Sequence, residues 1–161
     1  MSAGKPIVVD TCVWLDYLLG DRANHEAAWE FVVEATRRGI PLVIPSHSLK
    51  DLFLIFQQIL KAANRADGKM DAQAAAESAR AAAWAALDLV MELATVGPAD
   101  QSDAWLASKQ RSLHSDYEDN LVVACAMRLD ARLLVTSDET LAKRSPVATL
   151  APADALAFIA C

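Results

Sequence analysis

Three cysteines are all this chain has: Cys12, Cys125 and Cys161, an odd number with no CxxC pairing. That argues against a disulfide framework and predicts reduced thiols, with Cys12 following a strand and Cys125 in an apolar helix. Uncharged hydrophobic runs long enough to span a bilayer are also missing. The longest alanine-rich stretch is interrupted by Glu77, Arg80, Asp88 and Glu92, so no membrane association is expected. The opening MSAGKPIVVD has no apolar signal core, which argues against secretion. Positive charge is scarce: 15 Lys and Arg stand against 21 Asp and Glu, a net charge of −6. A generally basic coat for nucleic acid is thereby excluded, while a local basic rim around a phosphate site is not. These absences describe a soluble, cytoplasmic protein. The 161 residues, with no repeat, linker or low-complexity tail, suit one globular domain over residues 1–161.

The apolar pattern alternates between short β-rich runs and helical periodicity. Ile7-Val8-Val9 predicts a buried strand. Asp21 is positioned to cap a helix running to about Arg38, with Ala28, Phe31, Val32 and Ala35 on one face and Gly39 as its stop. Leu42-Val43-Ile44, closed by Pro45, predicts a second strand, and Ser46 or Ser48 can cap the helix after it. An alanine-rich helix is expected from about Asp71 to Leu93, with Trp84, Leu87, Val90 and Met91 facing inward. Leu93–Val96 is a weak strand candidate, and a short helix follows from about Asp100 to Arg111. Asp116 opens a buried helix containing LVVACAM. Arg132–Thr136 is a clear strand and Asp138–Lys143 a helical turn. Val147–Leu150 suggests an edge strand, and Pro152–Ile159 a closing helix with proline at its first position. Such alternation predicts a three-layer α/β/α sandwich around a mostly parallel sheet.

Four acids punctuate this pattern: Asp10, Asp51, Asp119 and Asp138. Each has an ordinary reading. Asp51 lies three residues after Ser48, the capping-box offset. Asp116 suits an N-cap with Asp119 in the first turn, and Asp138 suits a cap. Asp10 resists this reading, because an acid closing a buried strand rarely serves packing. Together the four fall at the carboxyl edge of one sheet, where open α/β sheets bind ligands. Asp116 and Asp119, at i and i+3, can point the same way. Hard oxygen donors without His or Cys suit Mg²⁺ or Mn²⁺ rather than zinc, and such an ion suits hydrolysis of a phosphodiester.

The segments VVDTCVWLDYLLG, PSHSLKDLFLIF, SDYEDNLVVACAMRLDA and LLVTSDETL resemble the four successive motifs of PIN-domain nucleases. The resemblance extends from Ile7 to about Leu150, in order, with the second motif the weakest match. It implies a PIN-like α/β/α fold, Mg²⁺- or Mn²⁺-dependent cleavage of RNA and often a homodimer. Many small bacterial members are VapC-like toxins held by an antitoxin protein. Residue by residue, Asp10, Asp51, Asp119 and Asp138 match the four family acids, and Asp116 an additional one. Asp10, Asp116, Asp119 and Asp138 are the metal ligands so implied, and Thr11 and Thr136 match supporting hydroxyl positions. Three departures stand out: Asp51 is one methylene shorter than the usual Glu, Cys12 replaces a frequent Asn or Ser, and the helix over 71–93 is longer than in the smallest toxins.

Glu118 points about 100° from Asp119 on a helix and reads as solvated. His47 and His114 flank acidic motifs and read as ordinary loop histidines. Lys50, Arg111, Arg128, Lys143 and Arg144 are rim candidates for phosphate, each more simply a solvated charge. Trp14, Trp29, Trp84 and Trp105 read as core or partner-interface residues rather than stacking platforms. An aspartyl phosphatase is a poor fit, because Cys12 occupies the place of its second acid. Two readings of different class are carried forward: a metal-dependent endoribonuclease, and a degenerate PIN-like module that binds RNA or protein without cutting.

Overall fold

Five strands, all parallel, form the centre of the computed structural model, which describes residues 4–161. Met1–Ala3, where the expected signal-free start begins, lies outside the described residues. The strands are β1 (Ile7–Val9), β2 (Leu42–Pro45), β3 (Thr95–Gly97), β4 (Leu133–Val135) and β5 (Thr149–Leu150). Eight helices intervene: α1 (Thr11–Leu18), α2 (His25–Arg37), α3 (Ser46–Asp67), α4 (Ala72–Leu93), α5 (Gln101–Lys109), α6 (Tyr117–Arg128), α7 (Glu139–Arg144) and α8 (Pro152–Ala160).

Strand periodicity divides the core in two. Ile7, Val9, Leu42, Ile44, Leu133 and Val135 point to one face, where they meet Trp14, Phe31, Leu52, Val90 and Ile159. The alternate residues Val8, Val43 and Leu134 point to the other, against Val122, Val123, Ala126 and Leu141. Because both faces are covered, the strands carry no polar alternation, as fully buried parallel strands require. The result is the expected α/β/α sandwich, with a sheet that is wholly rather than mostly parallel. Among the described residues no helix is long and apolar enough to cross a membrane.

The sheet order β3-β2-β1-β4-β5 fixes where a ligand can enter. The chain builds outward from β1 through β2 to β3, then returns to the other side of β1 to lay down β4 and β5. Strand order therefore reverses between β1 and β4, and beyond the carboxyl ends of those two strands the connections diverge and leave a crevice. Val9 pairs with Val135 at that point, and the Asp10 N–H donates to the Val135 carbonyl at 3.0 Å.

Several local details differ from the sequence reading. A helix, α1, begins directly after β1, capped by Asp10 itself. Asp21 is exposed and Asn24 occupies the cap position of α2, without a side-chain hydrogen bond. Pro45 takes that position for α3, so neither Ser46 nor Ser48 caps it and the Ser48–Asp51 capping box does not form; Ser48 is instead buried inside the first turn. On α4 the inward face is Ala75, Ala79, Ala83, Ala86 and Val90, while Trp84 and Met91 are exposed. Small residues there let α4 lie close to its neighbours, and the bulky side chains are displaced outward.

Candidate active site

At the crevice lies a cavity of roughly 550 Å³. Its wall takes Asp10 and Thr11 from the β1–α1 junction, His47, Ser48 and Asp51 from the first turns of α3, Asp116, Glu118 and Asp119 from the start of α6, and Ser137 and Asp138 from the β4–α7 junction. Asp51 thus stands in the cavity wall rather than in a cap. Glu118 also borders the cavity, with its side chain 43% exposed. The ordinary capping reading and the site reading turn out to be compatible. Asp10, Asp116 and Asp138 each cap a helix and each face the cavity, through bonds to Thr11 N (2.7 Å), Glu118 N (2.9 Å) and Thr140 N (2.7 Å). The N-termini of α1, α6 and α7 consequently converge on one spot, and their positive ends offset part of the acidic charge.

Asp10 is buried, with 6% of its surface exposed. Its Oδ2 accepts from Thr136 Oγ1 at 2.7 Å and from Cys12 Sγ at 3.2 Å. Burial raises its pKa; the hydrogen bonds from Thr136, Cys12 and Thr11 pull it down, and the nearby Asp138 charge adds to the rise. Thr136 Oγ1 also receives the Asp138 N–H at 3.0 Å, so one hydroxyl ties the first motif to the fourth. Thr11 acts through its backbone. Burial pushes Asp119 up to about 6, reinforced by the Asp10, Asp116 and Asp138 charges and opposed by His114. Burial and the Asp10 charge push the Cys12 thiol up to about 12, so it stays protonated and donates.

The structure adds two features to the sequence reading: a new pair of residues, and a histidine that the sequence presents as an ordinary loop residue. Buried Asp16 receives Arg22 Nε at 2.5 Å on one oxygen and Ser137 Oγ at 3.0 Å on the other. This bond fixes Arg22 at the cavity wall, where it is the one Lys or Arg against seven carboxylates. Asp16 lies on α1 six residues after Asp10, and it meets Ser137 because the fold brings α1 against the β4–α7 junction. Of the five cations named as rim candidates, each more simply a solvated charge, none lines the cavity, although Lys50 lies 3.7 Å from Asp51. Arg128 is committed to Asp103 at 2.7 Å and to the Pro98 carbonyl. The second feature is His114, whose Nδ1 lies 2.9 Å from Asp119 Oδ2 and whose Nε2 lies 3.4 Å from Asp138 Oδ2.

The donor set fits a divalent ion. Carboxylates from four separate chain segments crowd one crevice, a state that a cation or protons must neutralise. The cavity also holds unspent hydrogen-bonding capacity: Ser48 Oγ and both ring nitrogens of His47 are buried without a partner, and burial lowers the His47 pKa. Buried polar atoms are normally satisfied, and a hydrated ion or a bound phosphate is the type of ligand that would satisfy these.

Residues 6–140 match a family model described as a PIN domain. No curated protein matches the chain. Among solved structures, the chain is similar to one in a crystal structure of VapBC2 from Rickettsia felis bound to a DNA fragment from their promoter. That likeness has a TM-score of 0.57 at 14% identity and covers 90% of this chain and 97% of the other. At such identity it speaks to the fold.

Proposed function

The chain belongs to the PIN-domain family, and from that premise we propose that it is a single-domain, metal-dependent endoribonuclease that hydrolyses RNA phosphodiester bonds. The observation that supports this most directly is the convergence of Asp10, Asp119 and Asp138, from three distant segments, on the crevice where strand order reverses. In this reading Asp10, Asp119 and Asp138 hold Mg²⁺ or Mn²⁺, with Asp116 in support and Asp51 acting from the α3 side. A divalent ion there supplies Lewis acidity: it makes a water more acidic and offsets charge developing on the phosphate.

The chain's own residues do the rest. Thr136 and Thr11 hold the Asp10 carboxylate in one orientation, so that its position does not depend on the ion. Arg22, held through Nε by Asp16, presents its remaining guanidinium nitrogens to a phosphate. The acidic wall repels RNA elsewhere, so that productive binding depends on the ion and on Arg22 together. An antitoxin partner and a homodimer belong to the same proposal. The neighbour's VapBC2 assembly supports the first, and exposed Leu54, Ile55, Trp84 and Met91 on α3 and α4 give either partner apolar surface to cover.

Cleavage of a mixed RNA pool with and without Mn²⁺ tests the reading. Asp10→Asn and Asp119→Asn are each expected to lower metal-stimulated cleavage by about 100-fold or more, the usual cost of removing one preorganised charge contact, with circular dichroism unchanged. Full cleavage by either variant refutes the assignment. Metal-loaded protein that binds RNA without cutting it would instead favour the non-cleaving module.

A further inference from the structure

Between the end of α5 and the start of α6 lies a second depression, of roughly 340 Å³, within the range of small-ligand sites. His114 stands in its wall and also touches Asp119 and Asp138, so this depression and the acidic cavity are neighbours. Their linings differ in charge. Seven carboxylates line the cavity, whereas none lines the depression, where the charged side chain is Arg111. Arg22 and Arg111 therefore flank the acids from opposite layers: α1 and α2, on either side of Arg22 in the chain, pack on one face of the sheet and α6 on the other.

Three side chains give the depression its chemistry. Arg111 Nε donates to the Ser108 carbonyl at 3.1 Å, which anchors the guanidinium, and its other nitrogens meet no carboxylate among the described residues. An anchored fork of this type suits the oxygens of a phosphate. Tyr117 is 51% exposed, and its ring pairs with no other aromatic among the described residues. As the first residue of α6 it is tied to the helix end that delivers Asp116 and Asp119. Asn120 is buried; its Nδ2 donates to the His114 carbonyl at 2.9 Å, while its Oδ1 has no partner. Buried polar atoms are normally satisfied, so this acceptor gives the lining more polarity than packing requires.

We propose that the depression between α5 and α6 is a nucleotide subsite, in which Tyr117 stacks on one base of the RNA and Arg111 holds a phosphate beside it, leading the strand into the acidic cavity. A wall of carboxylates repels a polyanion, whereas an acid-free flank with a cation and an open aromatic face attracts one. A base must leave its duplex to stack on a side chain, so the subsite selects unpaired RNA. Stacking tolerates any base, and the selection is therefore for conformation rather than sequence. The inference rests on the ribonuclease reading and adds the form of substrate that the site takes.

The test measures cleavage of a fluorescent mixed-sequence RNA 12-mer by the full chain with Mn²⁺, the RNA being offered single-stranded or annealed to its complement. Tyr117→Ala is expected to raise KM for the single strand about tenfold, with a smaller effect on kcat, and Tyr117→Phe, which keeps the ring, to restore KM. Arg111→Gln should raise KM and lower the salt slope of binding by about 0.7, the value for one contact to a single strand. The wild type should cut the duplex far more slowly than the single strand. Equal cutting of both forms, or an unchanged KM in Tyr117→Ala, overturns the subsite while leaving the nuclease reading in place. Tyr117→Phe behaving as badly as Tyr117→Ala removes stacking as the cause and also overturns it. So does a loss of Mn²⁺ uptake in Tyr117→Ala, measured by calorimetry, since it assigns the ring to positioning the acids. If the wild type cuts neither form, this inference and the nuclease reading fail together.

Discussion

Burial holds the Asp119 carboxyl near 6, while an unfolded chain would ionise it near the ordinary 3.8. Between those two values the native state binds the proton and the unfolded state does not, so this group stabilises the fold below about pH 4 and loses that contribution as pH rises through 6. Metal-free protein is therefore expected to melt lower at pH 7.5 than at pH 5 on account of Asp119. Asp119→Asn should raise the metal-free Tm at pH 7.5, by about 2–4 °C for each kcal/mol of repulsion relieved, and the gain should shrink at pH 5. A scan showing no such pH dependence contradicts the crowding argument. The same proton competes with a divalent ion, so metal affinity should fall as pH drops below about 6. Arg22 carries a second expectation at this scale. Arg22→Gln should raise KM for RNA about tenfold and reduce the salt slope of binding by about one, with a smaller effect on kcat. Arg22→Lys keeps a charge beside buried Asp16 and controls for folding. Unchanged KM in both variants would remove Arg22 from the substrate contacts.

Among the elements, β3 shows how tightly the site's scaffold is fitted. A Cβ at Gly97 would lie 2.8 Å from Val43 Cγ1 and 3.2 Å from Cys125 Sγ. β3 is thus wedged between β2 and α6, the helix that delivers Asp116 and Asp119. Gly97→Ala should cost about 1–3 kcal/mol, typical of overpacking, read as a lowered denaturation midpoint in urea. An unaltered midpoint would mean that α6 can shift freely. Helix ends were read unevenly from sequence. Asp71, Asp100, Asp116 and Asp138 do cap helices, because each is an acid directly before an amphipathic run. Asp21 and Ser48 do not, because turn geometry and tertiary packing, absent from the local pattern, chose Asn24 and Pro45 instead. For α4 the inference from residue size failed in a similar way: close approach selected the alanine face and left Trp84 outside, its ring against Phe53 at 4.9 Å.

For the molecule as a whole, a ligand that binds only the folded state stabilises it by mass action. Mn²⁺ at 100 times its Kd should add about 2.7 kcal/mol, visible as a rise in Tm that Asp10→Asn abolishes. Absence of a shift at any Mn²⁺ concentration would argue that the crevice takes no ion. This expectation depends on the global arrangement, because the acids belong to segments as far apart as Asp10 and Asp138 and meet only when the sheet is complete.

The strands, the layer order and the acids at strand ends were legible in the sequence because each rests on a local rule: an apolar run bounded by a break, a period of two or of 3.6, an acid before a helix. The chain alone also carried the family resemblance over most of its length, since its motifs are contiguous. Tertiary structure alone decided that Asp16 would anchor Arg22 at the cavity, that Glu118 would line it, and that His114 would stand against Asp119 and Asp138. Each of these depends on which distant backbone segments share an edge. No short window of sequence encodes that, because the distance between two side chains far apart along the chain is set by the sheet order and not by their neighbours.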